Sequence, residues 1–406
     1  MKKMIKMSIA AAMMMGVGAV SAQAEGFSIA DDIYVKGEIR PRYEMVEADD
    51  NGKANANAFT NRLVIGVGAK LGGTDWLSAY AEMTDVHNLN DNYNSTDNGE
   101  TGHQIVADPE QTRLTQSYLD IKVGATKLRA GRQMINLDNQ RFVGAVGWRQ
   151  MPQTYDAYML TNNSVDKLNL AAVYITQVNT IKADASFDTR TVLLNASYAA
   201  MPALKVTAYA YMIGSLHDTY GLSLTGKPKI SDALTLNYRA EYATQDDSTM
   251  ENSGANEGKA DADWYNVNVG MNFSGFLAAV GYESLSGAGG GSETAFTTPL
   301  ATLHAHNGWA DKFLATPAAG LEDTSVMLGY KAKGFGLFKA VYHDFSSEVG
   351  STDYGTEIDA VYKNKIPGIK GLSGMLKVAD FSEDDNSGYI DTTKFWVMLD
   401  YKFSTK

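Results

Sequence analysis

The sequence has 406 residues, a formal charge of -12 and a pI of about 5.0, so a globally basic nucleic-acid-binding protein is excluded. It contains no cysteine, so disulfides contribute nothing to the fold. Hydrophobic residues make up 44% of the chain, yet the mean hydropathy is only -0.23. A membrane barrel gives this combination because its lipid-facing and lumen-facing residues alternate.

The N-terminus predicts a secretory signal peptide. A lysine-rich start precedes an apolar run from Met7 to about Val20, and small residues at 21–24 supply a cleavage site. The apolar run is shorter than the roughly 20 residues that a membrane-spanning helix needs, which makes an anchor the weaker alternative. We therefore predict a signal peptide at 1–24 and a mature chain at 25–406.

The remaining chain alternates apolar and polar residues with period two. Along 33–45 the odd positions are mostly apolar, while the even positions include Lys36, Arg40 and Arg42. The same pattern returns at 233–243 and at the end of the chain. A strand between lipid and water requires this alternation, and helical periodicity fits none of these segments.

The fold class predicted from this pattern is all-β, a transmembrane antiparallel β-barrel of about 18 strands, with 16 as the alternative. The predicted strands are 33–45, 59–71, 76–86, 112–123, 127–134, 153–161, 167–177, 189–199, 204–212, 219–226, 233–243, 263–273, 276–285, 323–331, 335–345, 354–363, 371–381 and 392–403. A barrel of this width leaves an aqueous channel, because side chains cannot fill it.

The connections between these strands alternate between long and short. Long ones include 87–111 and 286–322, and short ones include 124–126 and 332–334. Outer-membrane barrels have long external loops and short periplasmic turns. The sequence therefore predicts that 25–406 forms an outer-membrane β-barrel, in the outer membrane of a Gram-negative bacterium, with both termini in the periplasm.

Inward-facing cations are the first candidates for contact with a solute. Strand alternation predicts pore-lining positions for Lys36, Arg40, Arg42, Arg62, Arg113 and Arg129. Arginine keeps its charge and its planar fork matches carboxylates, so such a wall would favour anions. In the alternative, which stays open, the arginines neutralise lumen carboxylates such as Glu38, Glu44 and Asp120. Arg113 and Asp120 fall on opposite parities, so without a bulge only one of them faces the lumen.

Two loop segments are the second group of candidates. The segment 131–157 concentrates charge and glycine, and the segment 286–322 is too apolar and aromatic to extend freely into water. We predict that both fold into the mouth and narrow it. Their candidate residues are Arg132, Asp138, Arg141, Trp148 and Arg149 in the first segment, and His304, Asn307, Trp309, Asp311 and Lys312 in the second.

Other chemistry has little support in the sequence. His304 and His306 have the spacing of a metal pair, but no third ligand is evident, so we expect neither a metal nor another cofactor. No Ser/His/Asp set is spaced for catalysis, so we do not expect an enzyme.

The same two segments carry a family resemblance. The stretches "GRQ…D.QR.VG…WRQ…T.DA" and "F.TPLATLH..NGWADKFL.TP..GL.D" resemble signature stretches of the alginate-export family of outer-membrane proteins. The resemblance implies an 18-stranded barrel and, for the characterised exporter, arginines that pass an anionic uronate polymer. By position these match Arg132, Arg141 and Arg149. The exporter has a long insertion in its last periplasmic turn, whereas 364–371 is short here.

The function predicted from the sequence is an outer-membrane porin, a water-filled channel for passive diffusion of small hydrophilic solutes. Organic acids, which are anionic, and oligosaccharides are examples of such solutes. The alternative is an exporter of an anionic polysaccharide such as alginate. The expected partners are outer-membrane lipid, lipopolysaccharide and the solutes themselves, and monomer and homotrimer both remain open.

Overall fold

The computed structural model describes residues 30–49, 52–250, 260–289 and 293–406. Within these ranges the strands form one closed antiparallel sheet of 18, which confirms the predicted fold class and strand count. The predicted signal peptide at 1–24 lies outside the described residues. No helix in the described ranges is long and apolar enough to cross a membrane.

The strands follow one another around the barrel in chain order. The first nine are β1 (Ala30–Ala48), β2 (Ala56–Leu71), β3 (Leu77–Asn88), β4 (Gln111–Val123), β5 (Thr126–Gln133), β6 (Thr154–Asn162), β7 (Leu168–Asn179), β8 (Ser186–Met201) and β9 (Leu204–Ile213). The others are β10 (His217–Gly226), β11 (Leu234–Asp247), β12 (Asp261–Phe273), β13 (Phe276–Leu285), β14 (Leu321–Ala332), β15 (Gly336–Ser346), β16 (Asp353–Lys365), β17 (Leu372–Glu383) and β18 (Thr392–Ser404).

The first strand closes the barrel because it pairs on both sides. Arg40 of β1 stands opposite Arg62 of β2, and Met45 of β1 stands opposite Phe395 of β18. Closure matters in lipid, where an open sheet edge would leave backbone N–H and C=O groups without partners at several kcal/mol each.

Burial alternates along each strand between the two faces of the wall. On β16, Ile358 is 57% exposed, whereas its neighbours Glu357 and Asp359 are fully buried. The outward face is apolar around the barrel, as Val280 and Leu328 illustrate with 58% and 62% exposure. An apolar outer belt and a polar lumen are what a barrel spanning an outer membrane requires.

The two ends of the barrel differ in their connections. One end, called here the loop end, carries the long loops L2 (89–110), L3 (134–153) and L7 (286–320). The opposite end, the turn end, has short connections such as 124–125 and 274–275.

A bulge in β4 resolves the parity of Arg113 and Asp120. The pairing of β3 with β4 shifts register between Glu82 and Met83, and Thr115 is the extra residue on β4. An extra residue reverses the alternation beyond it. Both Arg113 and Asp120 therefore lie on the inward face, whereas the sequence allowed only one of them there without a bulge.

Candidate functional site

Three loops of the loop end fold into the lumen. L3 contacts inward-facing residues of β1 and β13, while L7 contacts inward-facing residues of β16 and β17. L3 connects β5 to β6, and β13 lies seven strands beyond β6 around the barrel of 18, so L3 must cross the interior to reach Glu283. L2 joins them through Asp108, which is fully buried. The candidate site is the contact zone of these loops with the wall.

Two arginines of β1 hold L3 against the wall. Arg40 donates to the carbonyl of Arg149 at 2.6 Å and to the side chain of Gln150 at 3.0 Å. Arg42 donates to the carbonyl of Trp148 at 2.6 Å and forms a buried ion pair with Asp108 of L2. Both guanidinium groups are therefore occupied by loop atoms, and charge-assisted bonds of this kind are the strong ones.

Asp311 of L7 is the meeting point of three basic groups. Its carboxylate lies 3.2 Å from Arg149, 2.8 Å from Lys394 and 2.6 Å from His304. Burial alone would raise the pKa of Asp311, but His304, Lys394 and Arg149 together hold that pKa well below its usual range. Asp311 therefore stays ionised and ties L3, L7 and β18 together. Arg149 is also 3.3 Å from Glu44 of β1.

His304 sits between Asp311 and Lys377 of β17. The Lys377 ammonium lies 2.7 Å from His304 Nε2, and His304 Nδ1 lies 2.6 Å from Asp311. Burial lowers the pKa of His304 to about 3, so the ring is neutral near pH 7. An ammonium can only donate, so Nε2 accepts and Nδ1 carries the proton that goes to Asp311.

Aromatic rings surround the same lysine. Lys377 Nζ lies 3.8 Å from the ring centre of Trp309 and 4.2 Å from that of Trp148. Trp148 also stacks on His304 at 4.4 Å. A cation over indole faces is attracted to them, and more strongly when water is excluded. Lys377 thus joins Trp148 of L3 to His304 and Trp309 of L7, an arrangement we call the lysine clasp.

L3 and L7 also bind each other away from the clasp. Arg141 of L3 reaches Glu283 of β13 at 2.6 Å and Asn307 of L7 at 3.1 Å. Val143 and Leu300 form a β-bridge between the two loops, and both are fully buried. L3 and L7 therefore behave as one packed unit.

The tip of L7 is seated on β16. The backbone N–H groups of Trp309 and Ala310 both donate to Glu357. Gly308 has a φ of +82°, and a Cβ there would collide with the Glu357 carboxylate, so glycine is required at this contact. Lys312 continues the contact by donating to Thr392 at 2.6 Å.

The other predicted strand arginines contact carboxylates of the wall or carbonyl groups of the loops. The Glu38 carboxylate lies 3.5 Å from Arg62 and 3.7 Å from Arg40, so the two arginines share it. Arg129 forms a two-pronged pair with Asp120, and Arg113 donates to loop carbonyls at the rim. The predicted pore-lining arginines of the strands are thus largely engaged by acids or by loop backbone.

Arg132 lies elsewhere than expected. It lies three positions after inward-facing Arg129, so alternation puts it on the outward face of β5, while its neighbour Gln133 is fully buried. It pairs there with Asp156 at 2.7 Å. Position 132 was predicted to line the pore, and the structure instead places it on the wall's outer side. Asp138 does enter the lumen, where it accepts from Asn195 of β8 at 2.8 Å.

Sequence reasoning missed a set of lysines near the turn end. Alternation from Asp120 and Arg129 places Lys122 and Lys127 on the inward face, directly opposite each other. Lys227 lines a cavity of about 670 Å³ between L3 and strands β8–β12. None of these three lysines, nor Lys36, forms an ion pair with any carboxylate in the described ranges. The alternation could have identified the first two.

The comparisons with known proteins agree with this architecture. A family model described as alginate export matches residues 32–281. The chain belongs to the alginate export family. The comparison with curated protein sequences gave no match.

Several solved structures share the barrel of this alginate export family member. Acinetobacter baumannii OccAB3 is similar with a TM-score of 0.73 and 14% identity, covering 92% of this chain and 99% of that one. OccAB2 of the same organism has a TM-score of 0.72 and 18% identity, with coverage of 93% and 100%. Pseudomonas aeruginosa OpdK, solved with vanillate, has a TM-score of 0.71 and 14% identity, with coverage of 92% and 99%. At these identities the likeness establishes the fold.

Among the described residues, no group of three or more His, Asp or Glu side chains is arranged to hold a metal ion. The two histidines of the predicted pair have different partners. His304 is bound to Asp311 and Lys377, whereas His306 lies near Arg141 and Glu283. Burial lowers the pKa of His306 to about 4.

Proposed function

We propose that this alginate export family member is an outer-membrane porin for passive diffusion of small hydrophilic solutes, with a preference for anions. The observation that carries the preference is a set of inward-facing lysines that pair with no carboxylate among the described residues, namely Lys36, Lys122, Lys127 and Lys227. Uncompensated charge of one sign along a low-dielectric wall raises the local concentration of the opposite ion.

The arginines contribute less to this preference than their number suggests. Arg42, Arg129, Arg141 and Arg149 each face a carboxylate within ion-pair distance. Such pairs leave little net charge, so their role is to fix the loops and stiffen the wall. The vanillate bound to OpdK, a structural neighbour, is a carboxylate and supports the same class of solute.

Planar-bilayer recording of the purified full chain tests the proposal. We expect stepwise conductance and, across a salt gradient, a reversal potential displaced toward that of chloride. Replacing Lys122 and Lys127 together by glutamine should reduce the displacement, whereas Lys182→Gln, an exposed lysine at the loop end, should leave it nearly unchanged. A barrel that never conducts would overturn the porin, and cation preference would overturn the lysine argument.

Export of an anionic polysaccharide is the second candidate, favoured by the description of the matching family. A polymer chain would have to pass the unit formed by L3 and L7. The short connection between β16 and β17, at 366–371, offers no large periplasmic closure. We place the porin first for these two reasons.

We also propose that the loop end faces outward and that both termini lie in the periplasm. The contrast in connection length supports this orientation. The chain has no cysteine, so single cysteines can report exposure without background. On intact cells a maleimide too large for the channel should label Asp385→Cys, in the loop between β17 and β18, and not Lys370→Cys, in the turn between β16 and β17. The reverse labelling would invert the orientation.

A further inference from the structure

The cavity of about 670 Å³ between L3 and strands β8–β12 has an unusual lining of amides. Asn237 of β11, Asn266 and Asn268 of β12, and Asn139 of L3 all border it. Lys205 and Arg239 add positive charge at its edge. The cavity lies on the opposite side of the lumen from the arginine-rich strands β1 and β2.

Three of these amides lack a hydrogen-bonding partner in the part of the chain that the structure describes. The side chains of Asn237, Asn266 and Asn268 make no hydrogen bond to any other residue in the described ranges. Unlike them, Asn195 on neighbouring β8 donates to Asp138 at 2.8 Å and to the Tyr211 hydroxyl at 3.0 Å. The amides of the cavity are thus free to bind a ligand, whereas that of Asn195 is already engaged.

The strand register arranges these amides as one wall. Asn268 stands opposite Arg239, and Asn237 stands opposite Gly270. A Cβ at Gly270 would lie 2.8 Å from Asn237 Nδ2, so the absence of a side chain leaves that amide room across the next strand. Gly281 leaves room in the same way for Asn268, again at 2.8 Å.

The charged side chains near these amides differ in how firmly they are already paired with a carboxylate. Arg239 is paired with Glu241, and Glu241 also accepts from Tyr209 at 2.9 Å. Lys205 is only loosely paired, 3.7 Å from Asp138. Lys227 also lines the cavity and pairs with no carboxylate among the described residues, so two lysines can attract a carboxylate there, beside amides that carry both donors and acceptors.

We propose that this cavity is a binding station for a polyhydroxylated carboxylate, that is, a sugar acid, on its path through the channel. A hydroxyl group both donates and accepts, as does a carboxamide, so a row of free amides recognises a polyol chain. Lys205 and Lys227 supply the counter-charge for the carboxylate. This inference names a substrate class for the proposed porin and in that respect rests on it.

Calorimetric titration of the purified barrel in detergent measures binding without requiring conduction. The probes are gluconate, which has both a carboxylate and hydroxyls, hexanoate, which lacks the hydroxyls, and sorbitol, which lacks the charge. We expect gluconate to bind about tenfold more tightly than either of the others, because only it uses both parts of the site. Equal affinity of gluconate and hexanoate would overturn the role of the amides.

Variants locate the binding to this wall. Asn237→Leu and Asn268→Leu should each weaken gluconate binding by about fivefold to tenfold, the loss of one hydrogen bond, and leave hexanoate binding unchanged. Asn169→Leu is the matched control, because Asn169 faces the lumen from β7 outside the cavity lining, and it should bind gluconate as the parent does. If both cavity variants fold, shown by heat-modifiable migration on gels, and bind gluconate normally, the proposal is wrong.

Bilayer recordings separate this inference from the porin itself. If the barrel conducts chloride but gluconate neither binds nor interrupts the current, the station fails and the porin stands. If gluconate binds in calorimetry while no conductance is ever seen, the porin fails and the station stands as a binding site.

Discussion

Asp120 on β4 stands directly opposite Arg129 on β5, and two Arg129 nitrogens each lie 2.7 Å from a carboxylate oxygen of Asp120. The guanidinium also lies 3.7 Å from the ring centre of Tyr118. Arg129 is therefore held in place from two directions, and its charge is neutralised by one residue.

Removing that carboxylate should make the channel more anion-selective. In Asp120→Asn, Tyr118 still holds Arg129 near its position, and its charge becomes uncompensated. We expect the anion-to-cation permeability ratio to rise by about twofold in reversal-potential measurements. Asp380→Asn removes the same charge from the outward face of β17 and serves as the control. A shift of the Asp120 variant toward cations would contradict the placement of Arg129 in the conducting path.

Much of this wall could be predicted from sequence, because period two is a local property. All eighteen strands were identified, and their observed bounds differ from the predicted ones by a few residues at each end. The position of Arg132 was also available from alternation, since it is three residues beyond Arg129. The composition of 131–157 groups Arg132 with the loop instead, whereas the structure puts it on the outer face.

The contacts of the loops could not be predicted in the same way. Arg42 and Asp108 are 66 residues apart, and Arg141 and Asn307 are 166 apart. Which loop residue meets which wall residue depends on the curvature of the barrel and on how L2, L3 and L7 pack together. Neither property leaves a periodic signal. The bulge at Thr115 is a further example, since one extra residue in β4 reverses the face of Arg113.

Lys312 should give the channel a pH-dependent selectivity near neutrality. Burial, assisted by the charge of Lys394, lowers the pKa of Lys312 to about 8. The folded protein therefore loses this positive charge as pH rises through that value, and the anion preference should fall between about pH 7 and about pH 9. Reversal potentials across this range measure the effect.

Lys312→Arg is the control for that profile. Arginine stays protonated throughout the range, so the step near pH 8 should disappear while the preference at pH 7 remains. An identical decline in both proteins would assign the titration to another group.

The lysine clasp should keep L3 and L7 against β17. Lys377→Met removes the donor to His304 Nε2 and the cation between Trp148 and Trp309. A desolvated cation–π contact contributes about 2 kcal/mol, so we expect L7 to open more often, with noisier current and faster proteolysis within 293–320. Lys339→Met, whose lysine lies 5.9 Å from the Trp309 ring centre, should have much less effect. Equal proteolysis of the two variants would show that the clasp does not hold the loop.

A cross-link between L3 and L7 separates the porin from the polysaccharide exporter. Val143 and Leu300 are β-bridge partners, so their Cα atoms lie within the range of about 4.4 to 6.8 Å that a disulfide needs. With no native cysteine, the double variant Val143→Cys/Leu300→Cys can form only this bond within the chain.

Diffusion of small solutes past a fixed loop unit should continue, so conductance should be the same in oxidised and reduced protein. Passage of a polymer would require the loops to separate, so oxidation would stop export and reduction would restore it. Suppose that oxidation abolishes ion conductance in the double variant but not in either single-cysteine control. L3 and L7 would then have to separate during ordinary conduction, which would contradict the packed unit inferred from Arg141 and Asn307.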